Sequence, residues 1–121
     1  MGFFSAHEIN PAEIAQTYAG ILLPDEEVLT AFKTIRDTVF LTSRRFVLVN
    51  VQGLTGSKKD VVSIPYKSIV AFSVESAGTF DLDSDLKLFV TGGVGQIVVK
   101  VSRKADPQAI LRTLDEQVMG G

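Results

Sequence analysis

Between Val28 and Ser102 the chain is cut into short runs of β-branched and aromatic residues, separated by turn-forming residues at intervals of about 8 to 12 positions. Few folds accept that spacing. Runs at 28–35, 38–43, 45–52, 59–65, 69–76, 85–91 and 96–102 read as seven strands. Turns are marked by Gly53 and Gly56, by Pro65, by Gly78, and by Gly92, Gly93 and Gly95. Two runs alternate along their length. Val70, Phe72 and Val74 fall on one face of their strand, and Ile97, Val99 and Val101 on one face of theirs, with Lys100 and Ser102 opposite. Residues 46–51 are apolar on both faces except at Asn50, the pattern of a central strand covered on both sides.

A helix brackets the strands at each end. Asn10, Pro11 and Glu13 read as an N-cap, a proline in the first turn and a capping-box partner. Ile14, Tyr18, Ile21 and Leu22 then recur at helical spacing, so a short amphipathic helix is predicted to about Gly20, before Pro24 and the acidic run Asp25–Glu27. At the other end Asp106 caps a helix that starts at Pro107 and carries Ile110, Leu111, Leu114 and Val118 on one face. Gly120 and Gly121 stop it. The 121 residues therefore read as one domain: an N-terminal arm and helix (1–24), strands (28–102) and a capping helix (106–119) that plugs the open end of a barrel.

Composition narrows the function classes. The chain has no cysteine, which removes disulfides, thiolate metal sites and cysteine nucleophiles, and which fits a reducing cytoplasm. A net charge of −2 and a pI near 5.3 supply no field that would attract nucleic acid. The mean hydropathy is +0.25, yet the apolar runs are far too short to span a bilayer. The first residues lack the basic and apolar regions of a signal peptide, and Ala6 stands where a myristoylation signal wants Ser or Thr. A cytoplasmic protein is expected.

Catalytic candidates are weak. His7 is the one histidine and has no second histidine or cysteine to work with. The Gly53-Leu-Thr-Gly56-Ser-Lys58-Lys59 segment has only two residues between its glycines, Ser before Lys, and a strand after it, so it reads as a hairpin turn rather than a phosphate loop. Asp81-Leu-Asp83-Ser-Asp85 starts like a calcium loop but continues with Leu86 and Gly92 where Gly and Glu are needed. A calcium site there stays open as an alternative to a solvated strand entry. Charge is segregated. Residues 44–67 carry Arg44, Arg45, Lys58, Lys59 and Lys67 against Asp60 alone, and residues 75–85 carry Glu75, Asp81, Asp83 and Asp85 with no base. Solvated loops explain this, and so does a contact in which a basic patch meets an acidic one on an identical neighbour. No triad, paired-carboxylate cleft or cofactor fingerprint is present, so a non-enzyme without cofactor or metal is expected.

Five segments carry a family likeness: Phe32-Lys-Thr-Ile-Arg-Asp37, Thr42-Ser-Arg-Arg-Phe-Val-Leu-Val49, Gln52-Gly-Leu-Thr-Gly56, Ser63-Ile-Pro-Tyr-Lys-Ser-Ile69 and Phe72-Ser-Val-Glu-Ser-Ala-Gly-Thr-Phe-Asp-Leu-Asp83. In this order they resemble the bacterial pleckstrin-homology family from about residue 10 to the C-terminal helix. The resemblance implies a mainly β, PH-like barrel of seven antiparallel strands in two near-orthogonal sheets, capped by the C-terminal helix. It brings no activity, metal or cofactor. It does imply assembly: similar single-domain members form cyclic rings, with a pentamer favoured, and present a hydrophilic surface where strands of adjacent protomers meet, for recognition of another, unidentified protein. The polar positions inside the matching motifs are Lys33, Arg36, Asp37, Arg45, Gln52, Lys59, Lys67, Glu75, Asp81, Asp83 and Lys87.

The chain departs from the pattern at Asn50 (Asp expected), at Ser57 (inserted before the lysine pair) and at Phe89 (Trp expected). The absence of a helical hairpin after residue 119 points to the single-domain form. Lipid-binding relatives cluster Lys and Arg in a long loop between the first two strands. Here that connection is Arg36-Asp37, with Lys33 nearby. Headgroup binding needs several convergent cations, so a peripheral membrane or lipid-headgroup role is the lesser alternative.

Overall fold

The structure, a computed structural model, describes residues 9–34, 37–52, 58–76, 84–93, 95–102 and 105–120. Helix α1 (Pro11–Thr17) precedes strands β1 (Val28–Lys33), β2 (Thr38–Thr42), β3 (Arg45–Gln52), β4 (Lys58–Pro65), β5 (Ile69–Ser76), β6 (Ser84–Val90) and β7 (Gly95–Val101). Helix α2 (Pro107–Leu114) then runs into a π-helical turn, Asp115–Met119. All seven strands expected from the sequence are present. They form two antiparallel sheets, ordered β1-β2-β3-β4 and β5-β6-β7.

The expected barrel is not closed, because no ladder joins the two sheets among the described residues. The break lies between β4 and β5. Pro65 has no N–H to extend a ladder, and the short 3-10 turn Tyr66–Ser68 then redirects the chain into the second sheet. The sheets meet through side chains instead. Phe32, Val39, Leu41, Phe46, Leu48 and Ile64 from the first sheet form one buried cluster with Leu86, Leu88, Val99 and Val101 from the second. Ile110 and Leu114 of α2 join this cluster, so the helix fills the space that the open sheets leave. The wider π-helical turn keeps Val118 against the same core, whereas Leu111 is only half-buried.

A second, smaller core lies outside the first sheet. Phe40, Val47 and Val49 alternate with the inward residues of β2 and β3 and cluster with Ile14, Val28 and Ala31. Ala15, Tyr18 and Leu22 pack onto this cluster, and the Tyr18 and Phe40 rings lie 5.2 Å apart. This bears out the sequence reading of 46–51 as a strand covered on both sides. Helix α1 stops three residues earlier than predicted, with Asn10 Oδ1 accepting the Ala12 amide at 3.0 Å. Because the chain has left the helix by then, Ile21 is exposed rather than buried with Ile14 and Tyr18.

The alternation predicted for β5 also needs correction. Phe72 and Val74 pack against the main core, but Val70 is 65% exposed. A bulge between Ile69 and Ala71 is the cause: Ile69 pairs with Val90 and Ala71 with Phe89, so Val70 is the extra residue and is turned away. The β7 reading holds, with Val99 and Val101 buried, Ile97 packed beside them and Lys100 exposed. The β6–β7 turn places Gly92 and Gly95 at φ of 91° and 73°, which only glycine adopts without strain.

Candidate functional site

Side chains of the three-stranded sheet that do not face the core line one outer face, on which no described element packs. Its polar end is built by cross-strand pairing. Glu75 lies opposite Asp85, and Asp85 opposite Lys100. Lys100 Nζ reaches Asp85 at 3.1 Å, and Lys87 Nζ reaches Glu75 at 2.9 Å on the diagonal. Toward the other end the face turns apolar. Phe89 lies opposite Ala71, Val98 lies opposite Lys87, and Val70, Phe89 and Val98 are 65%, 38% and 52% exposed. The face is uncovered among the described residues and combines exposed apolar side chains with two ion pairs.

A second feature is a cleft of about 350 Å³ between α1 and the β1–β2 end of the first sheet. Lys33, Asp37 and Lys59 line it together with Glu13, Tyr18 and Val51. Asp37 is partly committed, because its Oδ1 accepts the Val51 amide at 3.3 Å and ties the β1–β2 turn to β3. Lys33 and Lys59 make no ion pair among the described residues.

Arg45 belongs to neither surface. Its Nε and Nη2 donate to the two carboxylate oxygens of Glu26, each at 2.8 Å, in a bidentate pair. Nη2 also donates to the Ile21 carbonyl at 2.6 Å, and Nη1 to Ser63 Oγ at 3.1 Å. Glu26 accepts in addition from Thr42 Oγ1 at 2.6 Å and from the Leu23 amide at 3.0 Å. Arg45, the largest influence, holds the Glu26 carboxyl down to about 2 against the opposing effect of burial, with help from Thr42 and Leu23. Beside this tie, Tyr66 Oη donates to the Thr42 carbonyl at 2.6 Å, and burial first of all raises its phenol above the ordinary value. The network fastens the segment between α1 and β1 to the β2–β3 turn. Glu26 is missing from the sequence-derived candidates because a carboxylate beside Asp25 and Glu27 reads as surface. Only the pairing of β2 with β3 puts Thr42 and Arg45 over it.

The other candidates fall as follows. Lys67 is exposed on the Tyr66–Ser68 turn. Gln52 ends β3, paired with Lys58. Arg36, Asp81 and Asp83 lie outside the described residues, as do His7, Gly53 to Ser57 and most of the proposed calcium loop. Of that loop's carboxylates only Asp85 is described, and it is the one paired with Lys100. The segregated charge of the sequence is neutralised in part: Arg44 pairs with Asp25 and Arg45 with Glu26, Glu75 and Asp85 find lysines on their own sheet, and Lys58, Lys59 and Lys67 make no ion pair among the described residues. Among the described residues no group of three His, Cys, Asp or Glu is placed to hold a metal, and no helix is long and apolar enough to cross a membrane.

The sequence profile of the family described as "Bacterial PH domain" matches residues 2–118. The chain belongs to the bacterial PH domain family. The uncharacterized protein YjqA of Bacillus subtilis (strain 168) is 45% identical over 109 residues, covering 86% of this chain and 87% of YjqA. Among solved structures, a protein with a pleckstrin-homology domain from Shewanella loihica PV-4 superposes with a TM-score of 0.85 at 36% identity, covering 96% of this chain and 99% of its own. A pleckstrin homology domain from Shewanella amazonensis SB2B gives 0.78 at 39% identity, covering 94% and 92%. The open two-sheet arrangement with its C-terminal helix is thus a PH-like fold, and the sequence resemblance to this family is borne out.

Proposed function

We propose that this bacterial PH domain is a non-catalytic, homo-oligomeric module of the cytoplasm that assembles into a ring and uses its polar surface near the protomer junctions to hold another protein. The observation that carries this reading is the outer face of β5-β6-β7. It is uncovered among the described residues, its carboxylates and lysines are mutually neutralised, and its apolar residues are exposed. Such a face supports contact with a folded surface at low desolvation cost. The paired Glu75 and Lys87 add specificity more than affinity. Gel filtration coupled to light scattering should return a mass several times 13.1 kDa; a monomer at micromolar concentration overturns the reading.

The alternative, a domain for lipid headgroups, draws on Lys33 and Lys59 in the α1 cleft. Glu13 and Asp37 on the same cleft weigh against it, since they oppose an anion at close range. It requires pelleting with anionic vesicles that weakens as salt rises. No pelleting at low salt removes it.

A further inference from the structure

The cleft between α1 and the β1–β2 end of the first sheet is lined by four charged side chains that have not closed on one another. Lys33 and Lys59 bring positive charge to it, and Glu13 and Asp37 negative charge. On the two sheets, opposite charges that share a surface form ion pairs of 2.8 to 3.1 Å. Here neither lysine pairs with either carboxylate, although all four line one space of about 350 Å³. The fold keeps them apart. Lys33 ends β1 and Lys59 lies on β4, the two border strands of the sheet. Glu13 stands on α1, and Asp37 at the turn into β2.

Asp37 is held ready by its own turn. Its amide donates to Thr34 Oγ1 at 3.0 Å, its carbonyl accepts the Thr34 amide at 2.9 Å, and its Oδ1 accepts the Val51 amide at 3.3 Å. Oδ2 has no partner among the described residues and is left for a ligand. Ile14, Tyr18 and Val51 supply apolar wall, and the Tyr18 ring is itself packed on Phe40 at 5.2 Å. An apolar wall with a few fixed polar groups is the ordinary make-up of a small-molecule site, and roughly 300 Å³ is the lower end of its size range.

We propose that this cleft binds a small zwitterion, a free amino acid or short peptide, with its ammonium group on Asp37 and its carboxylate toward Lys33 and Lys59. Charge disfavours the simpler ligands. An anion drawn in by the lysines is brought against Glu13 and Asp37, and a cation drawn in by the carboxylates is brought against the lysines. A neutral molecule takes water from charged groups and returns no partner to them. A molecule with both charges offers each side its opposite, and two lysines against two carboxylates leave the cleft with no net charge. The cleft is formed within one copy, so the site stands or falls apart from the oligomeric reading. It also differs from a lipid-headgroup site, which takes an anion.

Amide NMR shifts of the isotope-labelled full chain, titrated with glycylglycine at millimolar concentration, test the site. Saturable shifts should appear at Thr34, Asp37, Thr38 and Val51, the amides around the cleft. N-acetylglycylglycine, which keeps only the carboxylate, and glycylglycinamide, which keeps only the amine, should each bind roughly tenfold more weakly. Asp37→Asn keeps an oxygen for the Val51 amide and removes the charge. This variant should bind glycylglycine no better than the acetylated form. Lys33→Met with Lys59→Met keeps the apolar stems and should abolish the preference for glycylglycine over its amide. The blocked dipeptides on the wild-type chain need no variant, so a variant that fails to fold leaves that comparison standing. Absence of saturable shifts, shifts spread away from the cleft, or equal binding of the blocked dipeptides overturns the site. Tighter binding of inositol hexakisphosphate at the same amides also overturns it, in favour of an anion site of the headgroup kind.

Discussion

Outside the four-stranded sheet lies α1, whose Ile14 and Tyr18 cluster with Phe40, Val47 and Val49; outside the three-stranded sheet no described element lies. The same alternation of strand residues therefore has opposite results. In β2 and β3 both sets of side chains are buried, so every residue of β2 is buried. In β6 Leu86 and Leu88 are fully enclosed while Phe89, next along the chain, is 38% exposed. The first sheet is packed on both faces, and the second has one face that no described element covers. The difference teaches that α1 is a structural cover: removing it would uncover a core, whereas the face of β5-β6-β7 has no described element to lose.

The sharpest way to break this comparison is to truncate the two sides of β6. Leu86→Ala should cost about 3–4 kcal/mol, because Leu86 is fully buried and leaves a cavity between the sheets. Denaturant unfolding should show this as a lower midpoint with an unchanged slope. A loss below about 1 kcal/mol would mean that the sheets are not packed as described.

Next in size is the tie that holds the entry to β1. Glu26→Gln should cost about 2–3 kcal/mol at neutral pH, since it leaves Arg45 without its carboxylate. The pH dependence gives a separate check. The folded carboxyl is held down to about 2, below its ordinary 4.5, so its contribution is complete above about 4.5 and is lost as pH falls toward 2. The wild-type chain should lose stability across that window, and Glu26→Gln should show a shallower acid limb. Parallel acid limbs for the two proteins would exclude the pair as their source.

On the covered side of the first sheet, Ile14→Ala should cost about 2 kcal/mol by loosening α1, less than Leu86→Ala because the helix is short and lies at the rim of its core. Smallest of all, Phe89→Ala and Lys100→Ala on the bare face should each change stability by no more than about 0.5 kcal/mol. A large loss from either would show that this face is buried in the stable form of the protein, and melting at several protein concentrations would then reveal assembly.

Much of the fold is legible from residue order. Turn residues at regular intervals locate all seven strands, and Asn10, Pro11, Asp106 and Pro107 locate both helix starts. The misreadings share a cause. Val70 has the right residue type for an alternating strand, but the bulge that displaces it depends on how β5 meets β6. Ile21 has helical spacing, yet α1 ends before reaching it. The candidate site was legible only in fragments. Glu75 and Lys87 are twelve residues apart in the chain and become partners through the β5–β6 register. Lys33, Asp37 and Lys59 share a cleft because two separate hairpins end beside α1. Arg45 looked like surface charge and is an internal tie.

The sequence by itself determined which residues could be strand or helix, that no cysteine chemistry is available, and, through its motifs, the family. Those properties are local: backbone preference, alternation and composition act within a few residues. Only the tertiary structure decided that the barrel stays open, that Glu26 is buried while its acidic neighbours are not, and which sheet face is left bare. Each of these depends on which distant strands pair and what covers them, and burial and charge pairing are properties of that arrangement, not of any single segment.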